Sequence, residues 1–181
     1  MIDPHSDKTE GYHLFIEPPA PLGEKLQWTI AALAQAYGGP AFAPHVTLLA
    51  RISEEPEEEL LRKAQLLAQS LVPFSVSLDE EGMEDAYFRA LYLHAGGAGI
   101  RDAHAKTNGA FGLEDDAPYV PHLSLLYGNY PLERKEAALA ALPVRAGTEF
   151  RADRLSVWRT PGEVRAWKKI AELPFGTDGL A

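Results

Sequence analysis

Two short segments of the chain carry nearly the same frame, Pro44-His45-Val46-Thr47-Leu48-Leu49 and Pro121-His122-Leu123-Ser124-Leu125-Leu126. Their histidines stand 77 positions apart (122 minus 45). Each frame is rich in apolar strand formers and opens on a proline, which a strand tolerates at its first residue. In a strand, residues i and i+2 share a face. His45 and Thr47 therefore point one way and Val46 and Leu48 the other; His122 and Ser124 repeat this against Leu123 and Leu125. A fold for this chain must hold two such strands, each with one face in a core and the other presenting an imidazole and a hydroxyl. Either copy alone fits a buried strand with a satisfied histidine. It is the repetition of the whole frame that points to function. Histidine's ordinary pKa of about 6.5 lets one imidazole take a proton while the other gives one, and two hydroxyls can hold phosphoryl oxygens.

The remaining chain reads as strands and helices around these frames. Residues 1–10 are polar and expected to be flexible. Tyr12–Glu17 predicts a strand with Tyr12, Leu14 and Ile16 on one face and His13, Phe15 and Glu17 on the other. Pro21 suits a helix start, Leu22–Tyr37 has apolar residues at helical spacing, and Gly38-Gly39-Pro40 ends that helix. The first frame predicts a strand over His45–Ala50. Ser53 is expected to cap a helix stopped by Pro73, and the acidic run Glu54–Glu59 reads as its solvated, dipole-favoured start. Phe74, Val76 and Leu78 alternate as a strand, and Tyr87–Leu93 predicts another.

Gly96-Gly97-Ala98-Gly99 lacks the Lys-[Ser/Thr] of a phosphate loop and reads as a turn into a helix over Ile100–Phe111, on which His104 is expected to be exposed. A loop at Glu114-Asp115-Asp116 leads to the second frame, and an Ala/Leu-rich helix spans Pro131 to Leu142. Strands over Glu149–Arg159 and Val164–Leu173, joined by the turn Thr160-Pro161-Gly162-Glu163, close the chain. Strands and helices that alternate incompletely predict an α+β fold. Each frame follows a helix and a proline and precedes a helix, which predicts two related lobes, intertwined in a single compact domain over residues 1–181.

Composition narrows the function. The formal net charge is −9, so the chain has no overall cationic excess for duplex nucleic acid, and the balance favours a small phosphorylated ligand. Arg151, Arg154, Arg159, Arg165, Lys168 and Lys169 read as solvated strand faces. The absence of cysteine excludes a thiolate nucleophile and cysteine-ligated metal. No apolar run approaches the length of a membrane span, and a cytoplasmic, monomeric protein is the expectation.

The doubled frame resembles the 2H phosphoesterase superfamily, whose members carry two His-x-[Ser/Thr] elements. Within it, the segment from Ala117 to Tyr127, APYVPHLSLLY, is similar to the cyclic phosphodiesterases of plants and yeast. The resemblance implies a bilobal, LigT-like fold: two antiparallel sheets in pseudo-twofold relation, helices outside and a central cleft. It implies His45 and His122 as the catalytic pair, with His122 expected as base and His45 as acid. Thr47 and Ser124 would bind phosphoryl oxygens, and Tyr127 matches a tyrosine that the plant-type enzymes also carry. Phe15, Phe88 and Trp167 are candidates to line the cleft. No metal and no cofactor is expected. The implied substrates are nucleoside 2′,3′-cyclic phosphates and ADP-ribose 1″,2″-cyclic phosphate. Alternatives are action on RNA 2′,3′-cyclic ends or 2′–5′ linkages, or a non-catalytic nucleotide or RNA-end binder. The chain departs from the plant pattern in lacking cysteine and in carrying Leu48-Leu49-Ala50 after the first motif.

Overall fold

The computed structural model describes residues 3–52, 56–113, 118–142 and 147–177. In chain order its elements are β1 (Tyr12–Ile16), α1 (Leu22–Tyr37), β2 (Val46–Ile52), α2 (Glu57–Ser70), β3 (Phe74–Gly82), β4 (Leu91–Gly96), α3 (Ala98–Phe111), β5 (His122–Leu126), α4 (Leu132–Ala140), β6 (Thr148–Ala152), β7 (Arg154–Arg159) and β8 (Lys168–Pro174). The strands form one antiparallel sheet in the order β6-β3-β4-β5-β2-β1-β7-β8. The class is α+β, as expected.

The two frame strands, β2 and β5, lie side by side in the middle of the sheet and pair through Val46 and Leu123. This narrow seam divides the sheet into two four-stranded halves, β5-β4-β3-β6 and β2-β1-β7-β8. Each half has the frame strand at the seam and, next to it, the strand that a helix connects to it, β1–α1–β2 and β4–α3–β5. Only Asp153 separates β6 from β7, although they stand six strand positions apart. A flat sheet would put them roughly 29 Å from one another, far beyond the reach of one residue. The sheet must therefore curl until its ends meet.

The core follows the alternation of the strands. Leu14, Ile16, Val46, Leu123 and Leu125 are fully buried, and Leu26 and Ile30 of α1, Leu60 and Ala64 of α2 and Ile100 of α3 join them. Burial of such a side chain contributes about 1.5–3 kcal/mol. A one-residue slip of either frame strand would exchange its leucines for its histidine and hydroxyl, so the core sets the register that presents the site.

Several expectations need correction. Tyr87–Arg89 is a 3₁₀ turn and not the start of a strand. The Tyr87 carbonyl accepts from Gly128 N and the Arg89 carbonyl from Glu84 N, which closes the segment as a loop before β4 begins. The expected strand Glu149–Arg159 breaks at Asp153 because its two parts serve different halves, β6 on β3 and β7 on β1. Val164–Ala166 is likewise a 3₁₀ turn ahead of β8. His104 is buried, its Nδ1 donating to the Leu48 carbonyl at 2.7 Å. Gly97 sits at φ 114° and approaches the Ser75 carbonyl so closely that a Cβ would stand 2.9 Å from it, which explains the glycine turn into α3. The Ser53 cap and the loop at residues 114–116 lie outside the described residues. The segment before β1 is tied at Pro4, His5 and Thr9, which bond Tyr87, Asn129 and Gly162.

Candidate active site

Both histidines are oriented by one local device. His45 Nδ1 donates to the Ala43 carbonyl at 2.6 Å, and His122 Nδ1 donates to the Val120 carbonyl at 2.9 Å. A proline stands between acceptor and histidine in each case, and it brings no N–H into this span. A carbonyl can only accept, so in the neutral form each imidazole carries its proton on Nδ1 and leaves Nε2 bare.

The pairing of Val46 with Leu123 is antiparallel. Continuing it one residue either way sets His45 across from Ser124 and Thr47 across from His122, on the face opposite the core. Phe15 pairs with Thr47 from β1, and His94 with His122 from β4. The two frames thus converge as two mixed imidazole–hydroxyl pairs about the seam.

A cavity of about 460 Å³ opens on this face, lined by His122, Thr47, Tyr127, Phe15, Phe88 and Trp167 among others. His45 and Ser124 lie deeper, 6% and 4% exposed. The Phe15 ring stacks on His45 at 3.8 Å between centroids, and the Tyr127 hydroxyl lies 3.4 Å from His45 Nε2. Ser124 Oγ donates to the Phe88 carbonyl at 2.8 Å. Phe88 stands edge-on to Tyr127 at 5.1 Å and faces Trp167 at 5.9 Å, completing an aromatic wall. All eight residues singled out from sequence are therefore gathered at one cleft.

The electrostatics of the two histidines differ. Burial pushes the His45 pKa down to about 4, although its bond to Ala43 and the Glu17 carboxylate pull upward. Burial also lowers His122, aided by Arg89 and His94, while the Val120 carbonyl and Glu84 oppose it. Arg89 is paired with Glu84, whose other oxygen accepts from the Tyr92 hydroxyl at 3.1 Å. Burial raises the Tyr127 pKa well above its ordinary value, so that hydroxyl stays protonated.

Sequence reasoning missed three supports of the site. The Tyr119 hydroxyl donates to the Thr47 carbonyl at 2.8 Å, and His104, stacked on Tyr119 at 3.6 Å, donates to the next carbonyl, Leu48. The seam pairs β2 and β5 so briefly that two carbonyls of β2 are satisfied by side chains. His13 lines the cleft with Nδ1 2.5 Å from Thr160 Oγ1, its pKa pushed down to about 3 by burial and by the charges of His45 and Arg51. Its place on the Phe15 face of β1 was legible, but its role was not. Among the described residues, no group of three or more His, Cys, Asp or Glu side chains is placed to hold a metal ion.

Comparison with known proteins agrees with this geometry. The chain is 24% identical over 174 residues to a cyclic phosphodiesterase of Arabidopsis thaliana, covering 91% of this chain and 94% of the relative. Among solved structures it resembles TT0787 of Thermus thermophilus, with TM-score 0.61, 21% identity and coverage of 92% and 98%. It also resembles E. coli LigT in complex with 3′-AMP, with TM-score 0.58, 14% identity and coverage of 93% and 98%. The profile of the 2′-5′ RNA ligase superfamily matches residues 18–163, a span that contains both histidine frames. The chain belongs to the 2′-5′ RNA ligase superfamily, the 2H phosphoesterases.

Proposed function

We propose that the protein is a metal-independent cyclic phosphodiesterase. It would hydrolyse nucleoside 2′,3′-cyclic phosphates to 2′-phosphates, ADP-ribose 1″,2″-cyclic phosphate to the 1″-phosphate, or both. The observation that carries this reading is the pair of imidazoles, each held through Nδ1 by the carbonyl two residues before it and carried on two strands that pair at the seam. The Arabidopsis relative bears the name cyclic phosphodiesterase, and E. coli LigT has been solved with 3′-AMP, ATP and NADP+, ligands of nucleotide size.

In the nucleoside reaction, water attacks phosphorus in line as the P–O3′ bond breaks. One imidazole takes a proton from the water, and the other delivers one to the departing O3′. We assign His45 as the base, because its deeper burial keeps it neutral, and His122 as the acid, because it faces the cleft. This reverses the roles expected from sequence. Thr47 donates to a phosphoryl oxygen from the open side. Strain in the five-membered ring lowers the barrier without a Lewis acid.

The test is multiple-turnover hydrolysis followed by ³¹P NMR in the presence of EDTA. The expected product is the 2′-phosphate, formed at an undiminished rate. A rate abolished by chelation and restored by a divalent ion would overturn the mechanism, and binding without turnover would favour the nucleotide-binder alternative.

A further inference from the structure

Beyond the two frames, β2 is irregular. Between the pairs Phe15–Thr47 and Tyr12–Ile52, β1 advances three residues and β2 five, so β2 carries two bulged residues. Such bulges re-aim side chains and increase local twist. Ala50 and Arg51 both line the cleft as a result. Arg51 has φ 60°, and among the described residues it alone combines a side chain with positive φ. Side chains avoid that region, and residues held there concentrate where function demands it.

Among the described residues, two arginines line the cleft, Arg51 and Arg89, and they differ in their partners. Arg89 pairs with the Glu84 carboxylate. Among the described residues, the Arg51 guanidinium makes no hydrogen bond or ion pair and stays exposed beside the cavity. A second cation, Lys8, reaches the same lining from residues 4–9, which run across the cleft mouth. That strap is latched to one half by Tyr87 N donating to the Pro4 carbonyl at 2.7 Å and by Asn129 Nδ2 donating to the His5 carbonyl at 2.9 Å. It is latched to the other half by two backbone bonds between Thr9 and Gly162, at 3.0 and 2.7 Å. Asp3 and Glu10, which flank the strap, join the lining too, so acidic and basic groups are mixed around the cavity. Discrimination must come from direct contact by a planar, five-donor fork, the group best matched to phosphate oxygens.

We propose that Arg51, assisted by Lys8, forms a second phosphate subsite of the cleft. It reads a phosphate or diphosphate carried on the 5′ side of the nucleoside whose cyclic phosphate lies between His45 and His122. The inference rests on the reaction proposed above and adds the part of the substrate that selects among cyclic phosphates.

The experiment compares a nucleoside 2′,3′-cyclic phosphate with the same compound bearing a 5′-phosphate, in the intact protein and in Arg51→Gly. Glycine accepts φ 60° without strain, so the variant removes the guanidinium while keeping the bulge; a thermal melt verifies that it is folded. The wild type is expected to favour the 5′-phosphorylated substrate by about tenfold or more in kcat/KM, and Arg51→Gly to bring that ratio close to one. A ratio unchanged by the substitution overturns the subsite, as does a wild-type ratio of one. Calorimetric titration with ADP separates this from the reaction itself. About tenfold weaker binding by Arg51→Gly supports the subsite even if neither cyclic phosphate is turned over, whereas equal affinity overturns it.

Discussion

The two halves of the sheet carry the same motif in different surroundings. On the β5 side, His122 faces the open cleft, with Thr47 across the seam and partly exposed beside it. On the β2 side, His45 is covered by Phe15 and Tyr127, and its cross-seam neighbour Ser124 spends its hydroxyl on the Phe88 carbonyl. One pair is open and the other closed. Repeating a motif therefore supplies two like imidazoles, and burial makes them unlike. Desolvation lowers the proton affinity of both, and what tells them apart is the cover of Phe15 and Tyr127 over His45 against the open cleft beside His122.

The strongest way to break this comparison is to remove each histidine in turn. His45→Ala and His122→Ala are each expected to lower kcat/KM by about 10²–10⁴-fold, a barrier increase of roughly 3–5 kcal/mol. Both histidines are shifted below 6.5, so the wild-type kcat/KM profile should be a bell whose limbs, which belong to the pair, lie on the acid side of that value. His45→Ala should lose the acidic limb and His122→Ala the alkaline one. The opposite assignment of limbs would invert the comparison.

Stability sharpens the comparison further. A histidine whose folded pKa is depressed stabilises the fold fully above its unfolded pKa, and that contribution is lost as pH falls towards the folded value. For His45 the window runs from 6.5 down to about 4. Between pH 7 and pH 5 the buried imidazole should remove about 2 kcal/mol of unfolding free energy. Asp153 and Glu172, whose pKa values are held down by Arg154, change the balance only at lower pH. Urea unfolding at the two pH values, with His45→Gln alongside, measures the term. An identical pH dependence in the variant would show that His45 is not the buried neutral group.

The smallest effect separates the two hydroxyls. Ser124→Ala removes an internal hydrogen bond and should reduce stability by roughly 1 kcal/mol. Thr47→Ala should leave the melting temperature nearly unchanged and raise KM by a few-fold to about tenfold. Equal changes of melting temperature in both variants would erase the distinction between open and closed pairs.

What could be read from sequence was whatever the local chain decides. The frames were legible because i and i+2 share a strand face, and Phe15 because β1 alternates so regularly. His104 was misjudged because its partner, the Leu48 carbonyl, stands 56 residues away, and only the short seam leaves that carbonyl available. The 3₁₀ turn at Tyr87–Arg89 follows from Gly128 and Glu84 taking its carbonyls, a tertiary demand that overrides an apolar, strand-like run. Arg51 was invisible for a different reason: nothing in Leu48-Leu49-Ala50-Arg51 announces a bulge, which exists only relative to β1.

The single residue between β6 and β7 has a mechanical consequence. The halves are joined at the seam by Val46 and Leu123 and again on the far side at Asp153, whose carbonyl accepts from Phe175 N at 2.8 Å. Hinge motion of one lobe against another needs a free side that can swing. A body riveted on both sides has none, so the two walls of this cleft are expected to keep their separation when a ligand enters.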